Sequence, residues 1–247
     1  MLTIDCRGRT YREINAVIRG AVKDGERELR LLNANGQRYI GTGINRRASI
    51  LIEGIPGNDL GAFMDGPVIF VDGNAQDCVA NTMNSGKIVV RGHAGDVLGY
   101  GMRGGKLYVL GDCGYRVGIH MKSYGAQVPV VVVGGSVRDF CGEYMAGGIL
   151  VILGLGGNGR PPVGRYCATG MHGGTIYVRG SIELGQLGRE AEMTQLEDSD
   201  FGVLRPIIEE FCNDMGTGVP PADQIMAGPW CKLRPVSYRP YGNIYAY

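Results

Sequence analysis

Short apolar runs, each closed by a glycine, recur along the middle of the chain at nearly constant spacing. The closing glycines are Gly54, Gly73, Gly92, Gly111, Gly134, Gly154 and Gly180. The β-branched and aliphatic composition of the runs predicts one β-strand for each. A methionine recurs in register at Met64, Met83, Met102, Met121, Met145 and Met171, with spacings of 19, 19, 19, 24 and 26 residues. This period predicts a solenoid of about seven coils that stack to share one core.

Side chains alternate between the two faces of a strand, so the repeat sorts them into columns. The first and third positions of every run, such as Ile50 and Ile52, are aliphatic and are expected to face the core. A second inward column is expected four residues before each methionine. The position after it holds only glycine or alanine, namely Gly61, Ala80, Gly99, Gly118, Gly142 and Ala168. Such a column predicts a tight corner with positive φ.

The second position of each run is expected to face outward, and none of its residues is charged. This outer column consists of Leu51, Phe70, Val89, Tyr108, Val131, Val151 and Tyr177. A continuous apolar stripe on the outside of a solenoid should be covered. The cover could be the C-terminal tail of the chain, another protein, or both. We therefore take the outer column as a candidate interface, together with the C-terminal aromatic residues Trp230, Tyr238 and Tyr241.

The segments that flank the repeat have a different pattern. Tyr11–Arg19 could form a short helix, and Phe201–Cys212 has helical apolar spacing, with Asp198, Ser199 or Asp200 as the N-cap. The final Pro- and Tyr-rich stretch is interpreted as an extended docking arm. The predicted organisation is an N-terminal segment (1–34), the solenoid (35–182), and a C-terminal helix with its arm (183–247).

Composition and charge narrow the function classes. The chain has 247 residues, a net charge of +1 and no long basic run, so neither nucleic acid nor a membrane surface is expected as a partner. Glycine accounts for 43 residues, which is well above the usual share of about 7%. There is no charged-then-apolar leader and no apolar stretch of membrane-spanning length. An odd number of cysteines without paired spacing suits a reducing cytoplasm.

Candidate chemistry is sparse. Gly99–Gly104 matches G-x-G-x-x-G, but it lies within the repeat and runs into another strand, so we interpret it as a repeat turn. The methionines are interpreted as core packing. His93, His120 and His172 fall at different phases of the repeat and are not expected to converge. Glu143 has no acid–base partner in the pattern. No catalytic, cofactor-binding or metal-binding residue is assigned.

Several Gly-rich motifs, in one order, resemble the C-terminal GXGXG domain of the glutamate synthase large subunit. They are Tyr39–Gly43, Gly61–Phe63, Val71–Asp77, Ser85–Arg91, Gly101–Tyr108 and Cys141–Gly148, and the resemblance covers about residues 28–182. It implies an all-β fold, a right-handed parallel β-helix. In glutamate synthase this domain is a scaffold that packs against the glutaminase and FMN-barrel domains, and the same fold occurs in the C subunit of formylmethanofuran dehydrogenase.

The resemblance implies a non-catalytic scaffold, here as a stand-alone subunit of a glutamate synthase-like complex in nitrogen metabolism. Its partners would be a glutaminase-like (class II amidotransferase) subunit and an FMN-barrel subunit, which would hold the FMN and iron–sulfur clusters. One alternative is a scaffold for another flavin and iron–sulfur oxidoreductase, of formylmethanofuran dehydrogenase-like, N-methylglutamate synthase-like or electron-bifurcating type. A third hypothesis is a solitary β-helix enzyme that cleaves carbohydrate or transfers acyl groups. Glu53 and Asp72 offer only thin support for carbohydrate cleavage, because Arg91 follows them in the same column.

Overall fold

One sheet of eleven strands runs through the molecule, and the computed structural model describes residues 1–157 and 160–238 of the chain. The strands are β1 Leu2–Asp5, β2 Glu28–Leu32, β3 Ser49–Glu53, β4 Asp65–Asp72, β5 Ser85–Val90, β6 Lys106–Val109, β7 Val130–Val133, β8 Ala146–Ile152, β9 Gly173–Arg179, β10 Ala191–Thr194 and β11 Trp230–Pro235. From β1 to β9 they lie side by side in chain order, each parallel to the one before. This confirms the predicted parallel solenoid, which has about six turns.

The interior is a single hydrophobic core that extends from coil to coil. The six repeat methionines are fully buried in it, together with the inward positions of the strands. Leu60, Val79, Leu98, Val117, Cys141 and Cys167 form the second inward column, which is also buried. The methionines therefore fill the core at one corner of each coil, as predicted, and none of them reaches the surface.

Each repeat coil turns its corner through three residues of positive φ, placed five, three and one residues before the methionine. In the coil of Met121 they are Arg116 (φ 58°), Gly118 (φ 74°) and His120 (φ 53°). The middle residue belongs to the small-residue column, all six members of which have positive φ. Its amide donates to a carbonyl of the preceding coil, as Gly118 does to Leu98 at 2.7 Å. The predicted tight corner is confirmed, and glycine at the middle position of four of the six coils reduces the steric cost of positive φ there.

The glycine requirement of the corner can be tested at Gly118. A Cβ at this position would lie 3.1 Å from the Leu150 side chain while the backbone holds φ +74°. We expect Gly118→Val to lower the free energy of unfolding by about 3 kcal/mol in a urea titration, since strain and overpacking add. Gly125→Val is the matched control. Gly125 has a φ of +59°, but a Cβ added there would have no neighbouring atom within 4 Å. The substitution should therefore lower the free energy of unfolding by only about 1–2 kcal/mol. Equal losses in both variants would show that packing in the corner is unimportant.

The N-terminal segment joins the solenoid. β1 pairs in parallel with β2, so the sheet begins at Leu2. The predicted helix is confirmed as α1, Tyr11–Lys23, and begins at a capping box formed by Thr10 and Glu13. Ile14, Ile18 and Val22 of α1 are buried in the solenoid core. The helix therefore covers the first coil and shields this end of the core from solvent.

The C-terminal segment closes the other end of the sheet. β11 pairs antiparallel with β9, and β10 pairs antiparallel with β11. Residues Trp230–Pro235 of the predicted extended arm therefore form a strand of the sheet, and their partner β9 is distant in sequence. Short 3₁₀ turns lie at Leu184–Gln186 and Gly216–Gly218. Tyr238 is 71% exposed, and Tyr241 lies outside the described residues.

Two helices follow β10, α2 Asp198–Met215 and α3 Ala222–Met226. α2 confirms the helix predicted from the apolar spacing of Phe201–Cys212. Its N-cap is Glu197 and not one of the three predicted residues. Asp200 is instead the third helical residue, and its carboxylate accepts a hydrogen bond from the Glu197 amide at 2.8 Å. Glu197, Asp198 and Asp200 lie close together at the start of the helix, so the sequence alone did not show where the helix begins.

The structure corrects the outer column at Val131. Val131 pairs with Leu107 and Leu150 and lies in the interior core, while its neighbour Val132 faces outward beside Tyr108 and Val151. The prediction aligned Gly134 with Gly111, the closing glycine of the previous coil. In the structure it is the Gly135 amide that donates a hydrogen bond to the Gly111 carbonyl. A run of four valines followed by two glycines has no polar position to mark a face, so the register was misplaced by one residue.

Candidate functional site

The outward face of the sheet is covered by the chain's own C-terminal helices. A second hydrophobic core lies between them and comprises Val89, Tyr108, Val130, Val132, Val151, Leu153, Tyr177, Leu204, Ile208, Phe211, Met215, Ile225 and Met226. The rings of Tyr108 and Phe211 meet edge to face, with centroids 5.9 Å apart. A partner could reach Val89, Tyr108, Val151 or Tyr177 only if α2 moved away.

One carboxylate of α2, Glu210, joins the helix to two strands. Lys87 and Lys106 both form ion pairs with it, and the Tyr108 hydroxyl donates to it at 3.1 Å. Lys87 also pairs with Asp214 at 2.7 Å. Burial works to raise the pKa of Glu210, but Lys106, Tyr108 and Lys87 together outweigh it, so the pKa is lowered. Burial and the nearby Glu210 raise the pKa of the Tyr108 phenol, which therefore stays a neutral donor.

A second polar contact lies near the start of α2. The Asp200 carboxylate accepts a hydrogen bond from the Tyr177 hydroxyl and pairs with the Lys232 ammonium, both at 2.7 Å. Its side chain is 6% exposed and that of Lys232 is 10% exposed. Burial works to raise the pKa of Asp200, but the Glu197 amide, Lys232 and Tyr177 together lower it. This pair joins α2 to β9 and β11 at once.

Acid should loosen this attachment of α2. The folded pKa values of Asp200 and Glu210 lie below their unfolded values, which are about 3.9 and 4.3. The stabilisation is therefore complete above the unfolded values and is lost as pH falls through the folded ones. We expect the free energy of unfolding, from urea titrations, to fall as pH drops below about 4. The Glu210→Gln variant should show a shallower fall than the wild type, and equal slopes would contradict this role for Glu210.

The remaining candidate interface residues lie at the ends of the helix-covered face. Leu51 and Phe70 are half-buried, and the Arg91 guanidinium lies 5.8 Å from the centre of the Phe70 ring. The Trp230 indole is half-buried and donates to the Met226 carbonyl at 3.3 Å. Contact of these residues and Tyr238 with a partner stays a prediction.

Exposed aromatic groups also lie at the corner of the coils. The residues just before and after each repeat methionine are exposed or half-buried, and so is Tyr100, two residues before Met102. Here the His120 ring stacks on Tyr144 at 5.3 Å and meets the edge of Tyr100 at 5.8 Å. Tyr100 is 40% and Tyr144 is 37% exposed. Three successive coils thus present a ladder of rings at the surface.

Beside this ladder is a groove of about 320 Å³, which we call the corner groove. It is lined by Thr82, Tyr100, Gly101, Arg103, His120, Lys122, Tyr144, Ala146 and His172. The expectation that the histidines stay apart is wrong for His120 and His172, which line the same groove. His120 precedes Met121 and His172 follows Met171, so the two histidines occupy neighbouring outward columns. His93 lies elsewhere, where its Nδ1 accepts from the Asp112 amide at 2.9 Å.

Within residues 1–157 and 160–238, no three His, Cys, Asp or Glu side chains are grouped to hold a metal ion. All seven cysteines are free thiols. Burial raises the pKa of Cys113, and a hydrogen bond with Cys167 together with burial raises that of Cys141. Such thiols are poor nucleophiles and ligands. Among the described helices, none combines the length and the apolar character needed to cross a membrane.

Comparison with known proteins places this geometry in a family. The GXGXG motif family matches residues 13–234. An uncharacterised protein of Methanocaldococcus jannaschii is 48% identical over 250 residues, which is 99% of this chain and 96% of the relative. Ferredoxin-dependent glutamate synthase 2 of Synechocystis is 33% identical over 177 residues. That alignment covers 68% of this chain but only 10% of the synthase.

A solved structure shares the fold. It is a chain in the X-ray crystal structure of the formyltransferase/hydrolase complex of Methylorubrum extorquens, in complex with methylofuran. The TM-score is 0.62 at 19% identity, and the match covers 92% of this chain and 88% of the other. At this identity the likeness is one of fold.

Proposed function

Because the chain belongs to the GXGXG motif family, we propose that it is a non-catalytic scaffold subunit of a multi-subunit, glutamate synthase-like complex. The observation that carries the proposal is the asymmetric match to glutamate synthase, which spans 68% of this chain but only 10% of the enzyme. The chain thus resembles a small part of a much larger catalyst. Partner chains would supply the rest.

The proposed partners are a glutaminase-like, class II amidotransferase subunit and an FMN-barrel subunit. FMN and iron–sulfur clusters would reside in those chains, which would release the amide nitrogen of glutamine and use it for reductive amination. One feature supports a passive role for this chain: four of its seven thiols, those of Cys6, Cys113, Cys141 and Cys167, are buried. The complex would serve glutamate biosynthesis and nitrogen metabolism in the cytoplasm.

A second candidate is a scaffold subunit of another flavin and iron–sulfur oxidoreductase or of a formyltransferase/hydrolase-type complex. The formyltransferase/hydrolase type is supported by the match, at a TM-score of 0.62, to 88% of a chain of a formyltransferase/hydrolase complex. Both candidates assign this chain the same physical task, which is to hold catalytic subunits in register. They differ in the reaction of the partners.

Affinity purification from the source cells separates the candidates. The chain would carry a tag at its N-terminus, and co-purifying proteins would be identified by mass spectrometry and assayed for glutamine-dependent glutamate formation. We expect a glutaminase-like and an FMN-barrel chain, with activity in the complex and none in the isolated chain. Formyltransferase or hydrolase chains would favour the second candidate. Turnover by the isolated chain would overturn the scaffold proposal.

A further inference from the structure

The geometry points to a specific docking element: we propose that the corner groove binds an extended, acidic segment of a partner subunit. The inference rests on the proposed scaffold function and names the chemistry of one contact. It concerns a surface that the C-terminal helices leave open, on a different part of the coil from the helix-covered sheet.

Charge is the first argument. The side chains that line the groove include Arg103, Lys122 and the two histidines, and none of them is a carboxylate. Neither Arg103 nor Lys122 forms an ion pair within the described residues. The neighbouring Glu143 is already engaged by Arg116 at 2.8 Å. The groove is therefore a positive patch on a chain whose net charge is only +1, and a complementary ligand carries negative charge.

Spacing is the second argument, and it favours a peptide over a small anion. Arg103, Lys122 and His172 each follow a repeat methionine and so occupy one column. Adjacent strands lie about 4.8 Å apart. His172 lies three coils after Arg103, so the distance along the column between them is roughly 14 Å. One carboxylate or phosphate cannot contact both ends. An extended peptide places alternate side chains about 6.8 Å apart on one face, so two or three carboxylates match this column.

The ring ladder is the third argument. Tyr100, His120 and Tyr144 are held against one another on successive coils, and His120 sits on a corner with fixed positive φ. Exposed tyrosines in a rigid setting lose little conformational entropy on binding, and they are enriched at the centres of protein interfaces. The ladder lies beside the basic column, so one peptide could contact both.

Binding of a model peptide tests the groove directly. The probe is a fluorescein-labelled eight-residue peptide that alternates glutamate and serine, titrated into the full chain by fluorescence anisotropy. We expect salt-sensitive binding that weakens about tenfold in Arg103→Gln/Lys122→Gln. The matched control, Arg12→Gln/Arg19→Gln, removes the same charge from α1 and should bind as the wild type does. A peptide with glutamine in place of glutamate should not bind.

Several results would overturn the proposal. These are no binding of the glutamate peptide, equal binding of the glutamine peptide, equal loss in both double variants, or full displacement by millimolar inorganic phosphate, which would indicate a small-anion site. In the purified complex, Arg103→Gln/Lys122→Gln should lower the yield of a co-purifying chain while the α1 variant leaves it unchanged. An unchanged yield would reject the groove but leave the scaffold function standing. If the wild type recovers no partner, the scaffold function itself fails.

Discussion

Replacing Phe211 with alanine is expected to lower the free energy of unfolding by about 3–5 kcal/mol and to loosen α2 from the sheet. Phe211 is fully buried between the helix and the outward face, with its ring against Tyr108. The variant loses the transfer free energy of the ring and leaves a cavity that the rigid sheet cannot fill. Urea unfolding measures the loss, and hydrogen exchange of the α2 amides reports the loosening.

Phe201→Ala is the control, because it removes the same ring from the same helix. Phe201 is 40% exposed, and its loss should change the free energy of unfolding by well under 1 kcal/mol. If the two variants were equally stable, or if α2 exchanged as slowly in Phe211→Ala as in the wild type, the second core would not hold the helix in place.

Asp200→Asn is expected to lower the free energy of unfolding by about 3 kcal/mol at neutral pH. The amide keeps the size of the side chain, but the Tyr177 hydroxyl and the Glu197 amide bond different oxygens of the carboxylate, so the single amide oxygen can accept from only one of them. The substitution also leaves the Lys232 ammonium, whose side chain is 10% exposed, without a counter-charge. A buried charge that loses its partner is costly because desolvation is no longer offset.

Two companion variants make this prediction specific. Asp198→Asn removes the same charge from the exposed first turn of α2 and should be nearly neutral. Asp200→Asn/Lys232→Met removes both charges and should recover most of the lost free energy, since no unpaired charge remains. If the double variant were no more stable than Asp200→Asn, the loss would come from packing or capping and not from the ion pair.

Much of the fold could be predicted because the repeat is redundant. The same inward positions recur in every coil, so no single residue decides the register, and the small-residue column marked the corner before its φ values were known. The weakest point was the valine run at Val130–Val133, where no polar residue distinguishes the two faces. Pairing with β6 and β8 places Val131 inside.

The cover of the outer column could not be decided from the pattern alone. The apolar stripe required a cover, but only contacts distant in sequence, such as Lys87 with Asp214, show that α2 supplies it. The corner groove was missed for a different reason. The prediction considered only whether the histidines fall at the same position of the repeat. The column just before each methionine holds His120 and Tyr144, and the column just after it holds Arg103 and Lys122, so reading the two columns together would have indicated the groove.

The native mass of the assembly that contains this chain tests the scaffold account most directly. The endogenous complex would be purified without denaturation and weighed by native mass spectrometry, with its chains identified after dissociation. The account predicts a mass well above the 26.5 kDa of this chain, made up of this chain and unlike partner chains. A mass of 26.5 kDa, or a multiple of it built from this chain alone, would contradict the account.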